Sequence, residues 1–201
     1  MKNQDGKKNE SHGKSLNQSL TYLIEVTDKE GRLLQRIEAP SRSYVEQWNR
    51  VINVQAKGTA STIKDTGGVN RSISPAGTNL LINTGAGVTA YGIRVGKGLT
   101  PVTITDNALE TPLAEGTGID QLTHLASTYT TPTVAGSDCS FTVRRTMINN
   151  TGATITGISE IGAYMRMGSY YGLAFRDVLA SPASVPDGGG ITVTYTIKVT
   201  A

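Results

Sequence analysis

An alternating segment near the end of the sequence constrains the fold more than any other part of the chain. From Ile191 to Val199 the odd positions are apolar or aromatic, and the even positions are threonine or lysine. Successive side chains of a strand point to opposite faces, so this alternation predicts a half-buried strand of an antiparallel sheet that holds the C-terminal end. One face carries Ile191, Val193, Tyr195, Ile197 and Val199, which we expect to be buried, and the other carries Thr192, Thr194, Thr196 and Lys198.

The composition favours a similar architecture for the rest of the chain. The 201 residues include 23 glycines but only 2 phenylalanines and 1 tryptophan, and 17% of the residues are charged. This length suits one domain with a core of its own. Segments typical of strands recur every ~10–20 residues without alternating helices, which favours packed antiparallel sheets over a parallel α/β sheet. We predict a mostly-β fold, an antiparallel β-sandwich or jelly roll with one short helix and a disordered N-terminal arm.

The first twenty residues differ from the remainder in composition. Residues 1–20 are polar and lack apolar periodicity, which predicts a flexible arm, and 21–201 then form a single β-sandwich domain that includes a hairpin and a helix at 21–57. The arm carries a net charge of +2 out of +3 for the whole chain, so the folded part is nearly neutral. We expect no nucleic-acid partner except weakly through the arm, and the sequence predicts neither a secretory signal nor a membrane span.

Turn signals divide the domain into short strands. Asp28–Gly31 predicts a hairpin turn, Pro40 the end of that hairpin, and Asn149–Gly152 a second tight turn. Residues 59–87 are rich in small polar residues, which predicts long loops with brief strands. The predicted strands lie near residues 21–27, 33–37, 91–95, 122–127, 141–148, 155–166, 173–179 and 191–199.

One helix is predicted over residues 43–55. Ser43 and Glu46 have the spacing of a capping box, in which each side chain accepts a backbone N–H of the first helical turn. An apolar stripe follows at steps of three and four, formed by Tyr44, Trp48, Val51, Ile52 and Gln55. Two interpretations remain open for it: the stripe packs onto the sheet, or Tyr44 and Trp48 bind a neighbouring subunit.

No catalytic set can be assembled from the chemically reactive residues. The single cysteine, Cys139, excludes an internal disulfide and is typical of a half-buried structural side chain, and the two histidines, His12 and His124, are too few for a zinc site with it. We therefore expect no enzymatic activity, no metal and no cofactor. Four acidic residues lie close together in the sequence but lack the spacing of a calcium loop: Asp106, Glu110, Glu115 and Asp120.

Several charged residues interrupt apolar strands. Arg145 breaks the apolar face of the strand near residues 141–148, and Glu160 and Arg176 lie in otherwise apolar strand contexts. A charge inside a sheet must be paired or face water. The hypothesis is a structural pair across neighbouring strands, either Glu160 with Arg176 or Asp177 with Arg145.

A series of short motifs in residues 85–201 resembles bacteriophage proteins. After a glycine-rich strand the sequence reads Thr-Asp-x-Ala-Leu-Glu (105–110), x-Asn-Asn-Thr-Gly (148–152), Glu-Ile-Gly-x-Tyr (160–164), Arg-Asp-Val-Leu (176–179) and Pro-x-Gly (186–188) before the terminal strand. This order is similar to that of β-sandwich structural proteins of phage virions. Residues 1–84, with the hairpin and the helix, have no counterpart in the resemblance.

The resemblance implies a virion component, made in the host cytoplasm and added in many copies to a capsid, neck or tail. Its partners would be other virion proteins and copies of itself, and we expect residues 1–20 to remain mobile or to lie against an adjacent subunit. The alternative is a host-surface or carbohydrate-binding module, which needs exposed aromatic residues. Tyr129, Tyr170 and Tyr171 are the candidates, although one tyrosine of the pair 170–171 could instead staple a hairpin.

Overall fold

A computed structural model describes residues 17–41 and 43–201, and it confirms the mostly-β, sandwich-like fold. The first strand begins at Asn17, so residues 17–20 are not part of the predicted arm, and residues 1–16 lie outside the described residues. The elements are β1 (Asn17–Thr27), β2 (Leu33–Ser41), α1 (Glu46–Lys57), β3 (Ser61–Lys64), β4 (Asn70–Ile73), β5 (Gly92–Gly96), β6 (Ala114–Glu115), β7 (Gln121–His124), β8 (Thr128–Tyr129), β9 (Thr133–Ala135), β10 (Asp138–Ile148), β11 (Ile155–Met167), β12 (Tyr170–Val185) and β13 (Gly190–Thr200).

The C-terminal strand is the centre of the larger sheet. β13 pairs antiparallel with β1 along one side and with β10 along the other, and all three strands have 11 residues. β2 pairs with β1 at one edge, while the short strands β7, β8 and β9 share the far side of β10. The parallel pair β6 and β7 completes this sheet. Because β13 has a partner on both sides, its backbone groups are satisfied along its whole length.

A second, three-stranded sheet packs against the first one. It has the order β12–β11–β5, and both of its pairings are antiparallel. Inward-facing side chains of the two sheets form one apolar cluster, in which the rings of Phe175 and Tyr195 lie 5.2 Å apart. The hairpin of β3 and β4 forms a separate two-stranded sheet whose Ile63 and Ile73 reach the same cluster. This core between two sheets is what makes the fold a sandwich.

The predicted hairpin is confirmed, but its second strand is longer than expected. β2 continues to Ser41, so the prediction that Pro40 ends the strand is wrong. β2 lies at the edge of its sheet, and an edge strand tolerates proline because the missing N–H would face away from the partner strand.

The predicted helix is present, but the capping box at its start is wrong. α1 begins at Glu46 after Val45 and has no side-chain cap. The Ser43 hydroxyl instead donates to the Asp177 carboxylate at 2.7 Å, and the carbonyl of Ile104 accepts the Glu46 N–H at 2.9 Å. The Ser43 hydroxyl is therefore bound to a buried acid of β12 and does not cap the helix, contrary to what the capping-box pattern predicts.

The buried face of α1 also differs from the predicted stripe. Its buried residues are Gln47, Trp48, Val51 and Val54. Ile52 is 37% exposed, and the Gln55 side chain binds the backbone of Ala76 through a donated and an accepted hydrogen bond. The face that meets the sheet is thus rotated by about one residue, because Trp48 packs against Phe175.

The terminal strand follows its predicted alternation except near its ends. Ile191, Val193, Tyr195 and Ile197 are buried, but Val199 is 52% exposed, which corrects the sequence prediction. Val199 lies on the core-facing side of the sheet, beyond the point where the second sheet covers it. Thr192 was expected on the exposed face and is buried, with its hydroxyl 2.8 Å from that of Thr146 on β10.

Arg145 is buried, and no carboxylate among the described residues forms an ion pair with it. The side chain is 1% exposed and donates hydrogen bonds to the carbonyl oxygens of Leu125, Ile93, Gly85 and Val88, at 2.7 to 3.3 Å. The alternative pair of Asp177 with Arg145 is therefore wrong. Burial lowers the pKa of Arg145 to about 10, so the guanidinium remains charged at neutral pH and holds the loop before β5 against β10.

Candidate functional site

Glu160 and Arg176 form a buried ion pair between β11 and β12. The Arg176 Nε donates to Glu160 Oε2 at 3.0 Å, and the Glu160 side chain is fully buried. Glu160 also accepts the backbone N–H groups of Gly98, Glu110 and Thr111, at 3.1, 3.0 and 2.7 Å. The cross-strand pair suggested by the sequence is thus present, and its larger role is to attach the loop between β5 and β6 to the sheet.

Two glycines allow this loop to approach Glu160 so closely. A Cβ atom on Gly96 would lie 2.5 Å from Glu160 Oε1, and one on Gly98 would lie 2.7 Å from it. Neither glycine has a positive φ, so the requirement is for space alone. The loop then covers the outer face of the smaller sheet, where Leu109 packs with Tyr164 and other apolar residues.

The four carboxylates considered for calcium do not form one site. Asp106 accepts from Arg176 at 2.8 Å, and Glu110 lies 3.7 Å from the same guanidinium. Glu115 binds His124, and Asp120 pairs with Lys97. Within residues 17–41 and 43–201, no group of three or more His, Cys, Asp or Glu side chains is placed to hold a metal.

Asp177 is held by hydroxyl groups at the end of a groove. Its carboxylate accepts from Ser41 at 2.9 Å, from Ser43 at 2.7 Å and from Tyr195 at 3.1 Å. Burial raises the pKa of Asp177, and the three hydroxyl groups partly offset that effect. The groove beside it has a volume of about 460 Å³ and includes Tyr44. Among the described residues, no histidine is hydrogen-bonded to these serines in the position of the base that activates a serine nucleophile.

Tyr44 and Trp48 belong to the core. The two rings lie 5.4 Å apart, and each lies 5.4 Å from Phe175. Trp48 is 9% exposed, and the Tyr44 hydroxyl accepts a hydrogen bond from Gln18. Of the two interpretations of these side chains, packing onto the sheet is correct for Trp48, because a buried ring is not available to a neighbouring subunit.

Tyr170 and Tyr171 open strand β12 rather than lie in a free loop. Tyr170 is 37% exposed, with the Arg71 guanidinium 4.7 Å from its ring centre. Tyr171 is half-buried and stacks on Tyr91 at 5.8 Å. Both tyrosines pair across the hairpin with residues of β11, as the staple interpretation expects. Tyr129, the third aromatic candidate, is 41% exposed.

Tyr171 also lines a groove that contains an arginine with no ion-pair partner in the described part of the chain. Arg94 projects from β5 into this groove, which has a volume of about 460 Å³ and also includes Thr66, Thr89 and Tyr164. Arg94 is not among the residues that the sequence predicts to be functional. The sequence feature that points to Arg94 is its charge between two core residues, Ile93 and Val95. The strand that holds these three residues begins and ends with a glycine.

An apolar row lies exposed at one end of the larger sheet. Val134, Cys139 and Val199 are directly opposite one another on β9, β10 and β13, so their side chains share one face. Val134 is 77% exposed, Val199 is 52% exposed and Cys139 is half-buried, as predicted for it. We call these three residues the sheet-end row. The row continues the core-facing side of the sheet, where Ile197 and Phe141 come next.

His124 is buried on β7, where the sequence predicts a strand. Its Nδ1 lies 2.7 Å from Glu115 Oε2 and 2.9 Å from the carbonyl oxygen of Leu122. Both neighbours are acceptors, so the proton of the neutral ring is on Nδ1. Burial and the nearby charge of Arg145 lower the pKa of His124, although Glu115 opposes them. A ring with no exposed surface cannot reach a substrate, and the role of His124 here is structural.

No protein-family model, no curated protein and no solved structure matches this chain. Among the residues that the structure describes, none of the helices is both long enough and apolar enough to cross a membrane.

The Glu160 network predicts a large effect of a nearly isosteric substitution. Both carboxylate oxygens accept N–H donors, so Glu160→Gln places an amide NH₂ against a donor whichever way it turns. It also leaves the Arg176 charge without its buried partner. We expect the free energy of unfolding in urea to fall by about 3–5 kcal/mol.

The matched control for this substitution is Glu38→Gln, which removes an exposed partner of Arg36. An exposed pair contributes little, so the expected change is below about 1 kcal/mol. Equal effects of the two substitutions on the free energy of unfolding would contradict the structural role of Glu160.

His124 predicts a loss of stability in mild acid. The folded protein keeps the imidazole neutral below its ordinary pKa of 6.5, whereas the unfolded chain binds a proton there. The unfolded state thus holds more protons, and the free energy of unfolding falls as the pH decreases below 6.5, by up to about 1.4 kcal/mol per pH unit. Urea unfolding at pH 7 and pH 5.5 measures this loss.

The variant His124→Gln serves as the control for the pH dependence. It keeps a donor toward Glu115 but does not titrate, so we expect most of the decrease between pH 7 and pH 5.5 to disappear. If His124→Gln loses as much stability as the unchanged chain over this interval, another group is responsible.

Proposed function

We propose that this protein is a non-enzymatic structural component of a bacteriophage virion, present in multiple copies on or within the capsid, neck or tail. The motif order of residues 85–201 supports the virion assignment. The sheet-end row supports assembly, and it is the observation that carries the proposal. Other apolar side chains are exposed too, among them Ile119 between a glycine and an aspartate, and Leu33 and Leu34 at the start of the edge strand β2.

The sheet-end row has the properties of an uncovered part of the core. Its three residues continue the inward-facing side of a sheet, and neighbouring residues on that side, such as Ile197, are buried. Contiguous apolar surface that continues a core is typical of an interaction site. The occupant that we propose is a second copy of this chain.

The position of the N-terminal residues supports a contact between copies at this end. Asn17, the first described residue, pairs with Thr200, one position beyond Val199. The preceding sixteen residues are therefore joined to the sheet at a residue close to the sheet-end row. Sixteen residues of extended chain could span about 50 Å, which is enough to reach a neighbouring subunit.

A host-surface or carbohydrate-binding module is the second candidate function. The observation that favours it is the Tyr171 ring in the wall of the Arg94 groove. Binding to a glycan array that Tyr171→Ala removes would favour this function over assembly, whereas a chain that binds no glycan would exclude it.

Membership of a virion is tested on particles of the phage or prophage whose genome carries this gene. We expect mass spectrometry of purified particles to find this protein at several copies per portal, and a portal or capsid gene beside its own gene. Particles that contain the capsid and tail proteins but lack this protein would contradict the proposal.

The contact between copies is tested with Val134→Asp and Val199→Asp. Each places a charge on the sheet-end row, and both sites are exposed, so the fold should tolerate the change. We expect light scattering after size exclusion to show an oligomer for the unchanged chain. The dissociation constant of the oligomer should rise at least about tenfold for each variant.

Val69→Asp is the matched control, because Val69 is 47% exposed in the turn between β3 and β4, away from the sheet-end row. It should leave the oligomer unchanged. A chain that is monomeric at all concentrations, or an oligomer that the two row variants leave intact, would contradict a contact between copies at this surface.

A further inference from the structure

Arg94 carries a charge that no acidic side chain among the described residues balances. Burial lowers the pKa of its guanidinium, and the one nearby group that opposes this effect is Tyr164, whose ring centre lies 5.7 Å away. The guanidinium donates one hydrogen bond, to the carbonyl oxygen of Leu113 at 2.7 Å. Its Nε is buried and has no acceptor within the described part of the chain. Arg176 also has a buried nitrogen without an acceptor, Nη2, but its guanidinium is paired with the carboxylates of Glu160 and Asp106, and Arg145 donates to several carbonyl oxygens.

The groove around Arg94 has the size of a small-molecule site. Its volume of about 460 Å³ falls within the range of about 300–1,000 Å³ that is typical of ligand pockets. Its walls expose more polar than apolar surface. The lining includes Thr66, Thr89, Tyr164, Tyr171 and Arg94.

Hydrogen bonds between distant segments hold the walls of this groove in place. The N–H of Thr66 donates to the Tyr171 carbonyl at 3.0 Å, which joins the β3–β4 hairpin to β12. The N–H of Leu109 donates to the Tyr164 hydroxyl at 2.8 Å, which attaches the opposite wall. A site whose walls are already fixed loses little entropy when a ligand binds.

The chemistry of the lining selects a ligand with one negative charge. A guanidinium matches a carboxylate through two parallel hydrogen bonds, and Arg94 is the one cationic residue in the described lining. A single cation suits a carboxylate better than a doubly charged phosphate. The threonine hydroxyls can exchange hydrogen bonds with ligand hydroxyls, and the Tyr171 ring, braced by Tyr91, offers an apolar surface beside them.

We infer that the Arg94 groove binds an acidic sugar through its carboxylate, with Arg94 as the charge partner and Tyr171 against the sugar ring. The site involves no residue of the sheet-end row and does not depend on assembly of copies. A negative result for the Arg94 groove would therefore not contradict the proposed structural role in a virion, and the reverse is also true.

The test uses the buried Nε–H of Arg94 as a direct probe. The full chain, labelled with ¹⁵N, is titrated in separate experiments with sodium glucuronate, glucose and sodium acetate, and the Arg94 Nε–H signal is followed by NMR. The Arg94 Nε–H signal is assigned as the one that is absent from the spectrum of Arg94→Gln. We expect glucuronate to shift this signal saturably, because a carboxylate bound at the accessible side of the guanidinium changes the charge distribution at Nε, and glucose to leave it unchanged.

Substitutions separate the charge partner from general effects of salt. Arg94→Lys keeps the charge but loses the two-pronged geometry, so glucuronate should bind about tenfold more weakly, as followed through the backbone signals of Thr66 and Thr89. Arg144→Gln is the control, because Arg144 is an exposed arginine on β10, and binding should not change. If Arg94→Gln does not fold, Arg94→Lys still decides the role of Arg94.

Three outcomes would overturn the inference. Glucuronate that leaves the Arg94 signal unshifted would exclude the site. Acetate that binds as tightly as glucuronate would show that the sugar ring contributes nothing. Equal binding to Arg94→Lys and to the unchanged chain would exclude Arg94 as the charge partner.

Discussion

The fully buried carboxylate of Glu160 is the interaction on which the smaller sheet and its surroundings depend. It joins the Arg176 guanidinium to three backbone N–H groups of the loop between β5 and β6. That loop covers Tyr164 and Leu173 on the outer face of the sheet, supplies the Ile104 carbonyl to the first turn of α1, and forms one wall of the Arg94 groove. Without the buried acid, the loop would lose three backbone hydrogen bonds to a charged group and keep its remaining attachments through Asp106, Leu109 and Leu113.

The structure satisfies its other buried charges in different ways, and the differences are informative. Arg145 binds backbone carbonyl oxygens, and Asp177 binds hydroxyl groups, so each is satisfied without an opposite charge. Both arrangements hold chain segments together and leave nothing free for a ligand. Arg94 differs because its guanidinium donates one hydrogen bond within the described part of the chain, to the Leu113 carbonyl oxygen, and no described carboxylate lies against it. This contrast within one molecule is the reason for treating the Arg94 groove as a binding site.

The two proposals concern opposite kinds of surface. The sheet-end row is a continuation of the core that the second sheet does not cover, and its chemistry is apolar. The Arg94 groove is polar, concave and enclosed by segments that hydrogen bonds hold together. An apolar surface suits a large protein partner, whereas a groove with one charge suits a small ligand.

The sequence alone determined the strands and their turns, because side-chain alternation and turn chemistry depend on neighbours along the chain. It also indicated the Glu160–Arg176 pair, since two charges in apolar strands need partners. Only the tertiary structure decided which surfaces are covered: Val199 has the pattern of a core residue, but the opposing sheet does not reach it. The tertiary structure also decided that the Ser43 hydroxyl binds Asp177. It likewise decided that Arg94 Nε is buried without an acceptor among the described residues.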